Sequence, residues 1–358
     1  MKVGLIGLPL SGKTTLFNLL CGSNAATSSF FSGRSEANFG IAKVPDPRLD
    51  WLGELYHPRR TVYAQIEVTD LPGLYHGERS SGNSFLQAVR QVDALVHVAR
   101  AFAGNVEHVD GSVNFMRDVD KVQVELLIAD LDLIERRLQR IISGKKVTPE
   151  QKAEMGLLEA CREALEKEQP LATIGLTPAE ELTLSHYGFF TQLPQLLVLN
   201  LDEKQLRQGN CPGQEEVEQW AQERGFTVLT VSAALEEEIA RLPASERTPF
   251  LQDLGVTSPG AARLAQGMYA LLNLISFFTV GEDEVKAWTI RAGLDAKRAA
   301  GKIHSDLERG FIRAETAAYN DLYAHGSMAK LREKGLLRLE GKDYIVKDGD
   351  IMNIRFNV

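Results

Sequence analysis

Gly7-Leu8-Pro9-Leu10-Ser11-Gly12-Lys13-Thr14-Thr15 contains G-x-x-x-x-G-K-T, set between an apolar run (Val3 to Ile6) and a helical pattern (Thr15 to Leu20). A strand, a glycine-rich turn and a helix N-terminus are what a phosphate-binding loop requires. Glycines let backbone N–H groups curl around phosphates, and the helix dipole adds positive potential there. Lys13 is expected to reach the β- and γ-phosphates, and the Thr14 hydroxyl to hold Mg²⁺. The bland alternative, an ordinary glycine-rich turn, is disfavoured by the flanking elements.

Asp70-Leu71-Pro72-Gly73-Leu74 follows a second strand-like run, Val62 to Thr69. In that position Asp70 would act on Mg²⁺ through water, and the Gly73 N–H would face the γ-phosphate. Leu74 stands where Ras-type enzymes carry a glutamine that orients the attacking water. An aliphatic side chain cannot do so, and hydrolysis must then use another group or be slow. The polar stretch Tyr75 to Asn83 is expected to be a switch loop.

Asn200-Leu201-Asp202-Glu203 follows a further strand, where guanine-reading proteins carry N-K-x-D. Leucine replaces the lysine and would offer the base an apolar wall. Glu203 replaces the aspartate and is one methylene too long to meet guanine's two donors. These exchanges favour adenine. Ser232-Ala233, after the next strand, is read as a base-flanking pair. A helix cap is the plain alternative for Asn200.

The elements that must position these residues alternate strand and helix. Ala94 to Ala99, Leu196 to Leu199 and Thr227 to Val231 read as buried strands, which predicts a mostly parallel sheet covered on both faces. Residues 116–195 differ: Val119, Val122, Leu126, Ala129, Leu133, Leu138 and Ile141 recur at helical spacing. A break at Ser143-Gly144 and a start at Thr148-Pro149-Glu150 predict a helical hairpin, the alternative being two helices laid on the sheet. From Phe277 a smaller module is expected. It would have strands at Lys286–Ile290, Asp343–Val346 and Met352–Phe356, a helix over Ala296–Leu307, and a hairpin turn at Asp348-Gly349-Asp350.

The chain has 358 residues, net charge −8 and 44% hydrophobic residues, enough for two or three domains. From Phe277 onward 14 Lys and Arg face 13 Asp and Glu, so the C-terminal part is the less acidic. That permits RNA contact without arguing for it. Three cysteines at no metal spacing predict buried thiols in a reducing compartment. Met1-Lys2 runs straight into the first strand and no apolar run approaches membrane-spanning length, so a soluble, cytosolic protein is expected.

With these pieces assembled, the chain resembles the YchF/Obg-like ATPase family of P-loop NTPases along essentially its whole length. The matching signatures are Pro45-Asp46-Pro47-Arg48-Leu49-Asp50, Asn200 to Glu203, Ala287-Trp288-Thr289-Ile290 and Gly310 to Ala314. Gly301 to Asp306 and Gly341 to Asp350 match as well. The resemblance implies an α/β P-loop NTPase (G-domain) sheet over residues 1–115 and 196–276. It also implies an inserted coiled-coil-like hairpin over 116–195 and a C-terminal TGS domain of β-grasp shape over 277–358. It further implies slow hydrolysis of ATP in preference to GTP, with Mg²⁺, by a cytoplasmic monomer. The partner would be the ribosome or ribosomal RNA, met through the TGS and helical domains, with no membrane. An adaptor in which nucleotide stabilises the fold, and a true GTPase, are the competing readings.

Where the family has Asn-Val in its loop this chain has Leu10-Ser11, and loss of that asparagine argues against K⁺ activation. The family's switch threonine, a Mg²⁺ ligand, falls near Arg34-Ser35; Ser35 could substitute and Arg34 could not. The family's candidate water-positioning histidine corresponds to His108, with His76 as the competitor.

Overall fold

The computed structural model describes residues 1–23, 25, 37–73, 85–103, 108–144, 146–209, 211–256 and 258–357. Ser35, Leu74 and His76, and the switch stretch Tyr75 to Asn83, lie outside them.

Contacts divide the chain into two compact units, residues 1–40 with 67–264 and residues 41–66 with 265–358. The first is built on strands β1 (Lys2–Ile6), β2 (Asn38–Val44), β4 (Ala64–Asp70), β5 (Ala94–Arg100), β6 (Gln195–Asn200) and β7 (Thr227–Val231). Their order is β2-β4-β1-β5-β6-β7, and β4, β1, β5, β6 and β7 pair in parallel. Both faces of β5 and β6 are buried along their whole length, which is why they read as unbroken apolar runs and not as alternation.

The long helix Phe115–Ile142 has two jobs. Its first half lays Val122 and Leu126 against Ile6, Leu71, Phe85 and Leu95, covering the sheet. Its second half buries Ile134 and Leu138 against Leu158, Cys161 and Leu165 of the returning helix Pro149–Glu166. The hairpin and the sheet cover are therefore one element. Thr148 starts the returning helix with a capping box to Gln151, and Pro149 occupies its first turn. Asp130 is fully buried at the changeover and accepts from Phe190 N, Thr191 N and Thr191 Oγ1 at 2.8–2.9 Å.

The second unit joins β8 (Leu274–Val280), β9 (Glu284–Arg291), β10 (Phe311–Ala318), β11 (Arg338–Glu340) and β12 (Asp350–Phe356) to β3 (Arg60–Val62). Its order is β11-β10-β12-β8-β9-β3. The β8–β9 hairpin, a crossing helix (Ala296–Ile303), and a last strand parallel to the first make a β-grasp. Four expectations need correction. Asp343–Val346 contributes only one isolated bridge, Asp295 to Ile345, and Asp348-Gly349-Asp350 closes no hairpin. The Gly349 N–H goes to the Ser276 carbonyl, and β12 runs on between β10 and β8. The helix expected over 296–307 breaks at His304, whose side chain caps the next short helix. Residues 41–66, read as part of the nucleotide domain, pack with the C-terminal unit.

Candidate nucleotide and magnesium site

All the motifs of the first unit sit at the carboxyl ends of its parallel strands. β1 runs into Gly7, β4 ends at Asp70, β6 ends at Asn200 and β7 runs into Ser232. That edge of an open α/β sheet is where ligands bind.

Gly7 has φ 140, and a Cβ there would lie 2.3 Å from the Val98 carbonyl oxygen, so only glycine lets the loop lie on β5. Gly12 has φ 97 and caps helix α1 (Lys13–Cys21). Leu8 and Ser11 are buried, and Leu10 is left-handed at φ 63. Lys13 Nζ donates to the Gly7 and Leu8 carbonyls at 3.1 and 2.8 Å. Burial pulls its pKa down to about 8 against the opposing attraction of Asp70. Gly73 sits beside it: a Cβ at Gly73 would be 3.3 Å from Lys13 Nζ. Thr15 continues the first turn of α1.

The Thr14 hydroxyl donates to Asp70 Oδ2 at 2.7 Å, while the buried Asp70 Oδ1 has no hydrogen-bond partner among the described residues. A buried, unpartnered carboxylate oxygen beside a hydroxyl and the phosphate loop is a donor set that fits a hard divalent cation. Asn38, which the motifs gave no reason to single out, donates to the same Asp70 Oδ2 at 3.3 Å. Arg100 was also missed. It ends β5 beside Asn200, almost fully buried, with its Cζ 4.5 Å from the Phe102 ring centroid. A cation closing an apolar strand was its only sequence signal.

Asn200 ties three motifs together. Its Nδ2 donates to the Ser11 carbonyl (2.9 Å), and its Oδ1 accepts from Ala233 N (3.0 Å). The cap alternative is settled by this, since Asp202, and not Asn200, caps the following helix. The Ser232 hydroxyl is buried and has no partner among the described residues.

Leu201 does not form an apolar wall for a base. It is 3% exposed and packs with Phe115, Val119 and Cys211 beneath the sheet edge. Glu203 begins the helix Glu203–Gln208 half-exposed, and Arg207 Nε holds its carboxylate at 2.9 Å. In this structure that carboxylate is paired with an arginine of its own helix.

His108 is likewise not brought to the phosphate loop. Its Nε2 lies 2.7 Å from Asp118 Oδ2 at the start of the long helix, and its Nδ1 accepts from Asp110 N at 3.1 Å. Both ring nitrogens are engaged, so the imidazole as placed cannot take a proton from water. His108, Asp110 and Asp118 are close enough to share an ion. Arg117 and Lys121 already neutralise the two carboxylates, at 3.0 and 2.6 Å. The cluster reads as the fixing of the loop to the helix.

Comparison with known proteins agrees with the geometry. A family model described as "50S ribosome-binding GTPase" matches residues 2–130, and YchF-GTPase_C, described as "Protein of unknown function (DUF933)", matches residues 274–357. The chain is 40% identical to "Ribosome-binding ATPase YchF" of Bacillus subtilis (strain 168), covering 100% of both chains. It is 41% identical to the protein of that name from Escherichia coli O157:H7, covering 100% of this chain and 99% of the other. The solved structure titled as the Schizosaccharomyces pombe YchF GTPase superposes with a TM-score of 0.87 at 31% identity, covering 99% of this chain and 97% of that one. With the phosphate loop, the Thr14–Asp70 pair and the Asn200 tie all in place on this fold, the chain belongs to the YchF family.

Proposed function

We propose that the protein binds ATP with magnesium, hydrolyses it slowly, and works as a nucleotide-dependent switch on the ribosome. The observation that carries the chemistry is the Thr14–Asp70 pair, with its unpartnered buried oxygen, beside Lys13. Thr14 and Asp70 would hold the ion, which when bound neutralises charge on the β- and γ-phosphates. Lys13 would exchange its two loop carbonyls for phosphate oxygens, and Gly73 N–H would sense the γ-phosphate. Slow turnover is supported by the aliphatic Leu74 of the sequence and by the engagement of both His108 ring nitrogens.

Two bacterial relatives are named ATPases, whereas the fission-yeast structure is titled a GTPase. The base motif supports ATP: no lysine follows Asn200, and the Glu203 carboxylate is held by Arg207. The names of the bacterial relatives supply the ribosome. We assign the β-grasp module as a TGS domain and, with the hairpin, as the part that meets ribosomal RNA. The protein would act as a cytoplasmic monomer; no described helix is long and apolar enough to cross a membrane. Equilibrium binding of a fluorescent ATP analogue tests the core of this reading. Wild type should bind with magnesium, Lys13→Ala should not, and equal binding by both would refute it.

A further inference from the structure

The two oxygens of Asp70 are treated unequally. Oδ2 accepts from the Thr14 hydroxyl at 2.7 Å and from Asn38 Nδ2 at 3.3 Å. The buried Oδ1 has no hydrogen-bond partner among the described residues. A threonine hydroxyl has one proton and two lone pairs. With that proton given to Asp70, the lone pairs of Thr14 are left for a cation. Asn38 is the second donor, and it belongs to none of the nucleotide motifs.

Three elements of the first unit bring these side chains together. Asp70 ends β4, and Thr14 lies in the first turn of α1. Asn38 begins β2, which neighbours β4 at the edge of the sheet. Two residues on, a Cβ at Gly40 would lie 2.6 Å from Cys21 Sγ and 3.0 Å from the Phe17 ring. The missing side chain at Gly40 therefore lets the start of β2 lie directly against α1. Asn38 is half-buried there, between the element that carries Asp70 and the one that carries Thr14.

We propose that Asn38 is a positioning residue for magnesium. Its amide fixes the Asp70 carboxylate through Oδ2, so that Oδ1 is the oxygen presented to the ion and its water. Held at one oxygen from two sides, the carboxylate cannot turn about its Cβ–Cγ bond without giving up both hydrogen bonds. Metal-site carboxylates depend on such outer hydrogen bonds for their orientation. An amide suits the task because it donates without charge. A lysine or arginine in its place would pair with Asp70 and oppose an incoming cation. The inference rests on the proposed use of magnesium at Thr14 and Asp70.

Full-length Asn38→Leu, Asn38→Ala and Asn38→Gln make the test. Leucine keeps the volume and loses the donor, alanine loses both, and glutamine keeps the amide on a longer stem. Two readouts are taken on variants whose melting temperature shows them folded. One is the magnesium concentration that half-saturates tight ATP binding; the other is the electron paramagnetic resonance spectrum of Mn²⁺ bound together with ADP. Asn38→Leu and Asn38→Ala are expected to raise the half-saturating magnesium about three- to tenfold, the low end for an outer hydrogen bond because this one is long. Both should change the Mn²⁺ spectrum and leave ATP binding in excess EDTA unchanged. Asn38→Gln should recover part of each effect. A side chain that merely fills space would instead let leucine behave as wild type. Magnesium dependence and Mn²⁺ spectra unchanged in Asn38→Leu and Asn38→Ala, beside a wild type that responds to magnesium, would overturn this inference and leave the proposed function standing. A wild type indifferent to magnesium would overturn both.

Discussion

Lys13 Nζ donates to two loop carbonyls, and burial brings its pKa down to about 8. Triphosphate binding must restore the proton that the free protein sheds above that pH. The bound form then holds more protons than the free form, and affinity should fall by up to about tenfold per pH unit above pH 8. ATP titrations at three alkaline pH values would show a flat profile were Lys13 not the phosphate contact. Leu10 carries backbone strain: its φ of 63 is one a leucine adopts at a cost of about 1–2 kcal/mol. Leu10→Asn is expected to gain about 0.5–1 kcal/mol in urea unfolding, because asparagine tolerates that region; a loss would mean the leucine side chain contributes more than the strain removes. At the base motif, Glu203 tied to Arg207 predicts that ATP binds roughly 100-fold more tightly than GTP in calorimetry. Arg207→Ala frees the carboxylate and should narrow that gap, and equal starting affinities would contradict the reading. The phosphate-loop residues were legible because a motif fixes their backbone. Leu201 was not, since nothing in N-L-D-E says that position 201 turns inward against Phe115.

At the scale of elements, His108 and the long helix belong together. The imidazole bridges Asp110 N and Asp118, two residues around the start of that helix. Losing a buried hydrogen bond to a carboxylate makes His108→Ala cost about 1–3 kcal/mol in denaturant unfolding. With both nitrogens engaged, kcat should stay within about threefold; a tenfold fall would show that the ring leaves Asp118 during turnover. The helical hairpin could be read from the chain because a 3.6-residue stripe, a Ser143-Gly144 stop and a Thr148-Pro149 start are all local signals. Which half of the helix covers the sheet was not readable, since the stripe is continuous through the change of partner at Asp130. β11 spans three residues, too few to show a period in the sequence.

At the scale of the molecule, the sequence suggested a chain cut near residue 277, on the premise that neighbours in sequence pack together. The parallel pairing of β3 with β9 joins residues more than two hundred positions apart and carries no local mark. That pairing is what moves 41–66 into the C-terminal unit. The resemblance implied a β-grasp there, although composition alone said only that a small module was present. Burial of His97 on β5 pulls its pKa to about 3, with Lys13 nearby adding to the depression. The unfolded chain therefore binds a proton between about pH 3 and 6.5 that the folded chain refuses, and stability should fall as pH drops below about 6.5. His97→Gln should flatten that fall in urea titrations at pH 5 and 7.5; an unchanged slope would place the titrating group elsewhere. Phosphate release by the purified full-length protein tests the proposed nucleotide chemistry most directly. With magnesium, ATP should be hydrolysed slowly, faster than GTP, and not at all by Lys13→Ala; release from ATP no greater than that of Lys13→Ala, or a preference for GTP, would contradict it.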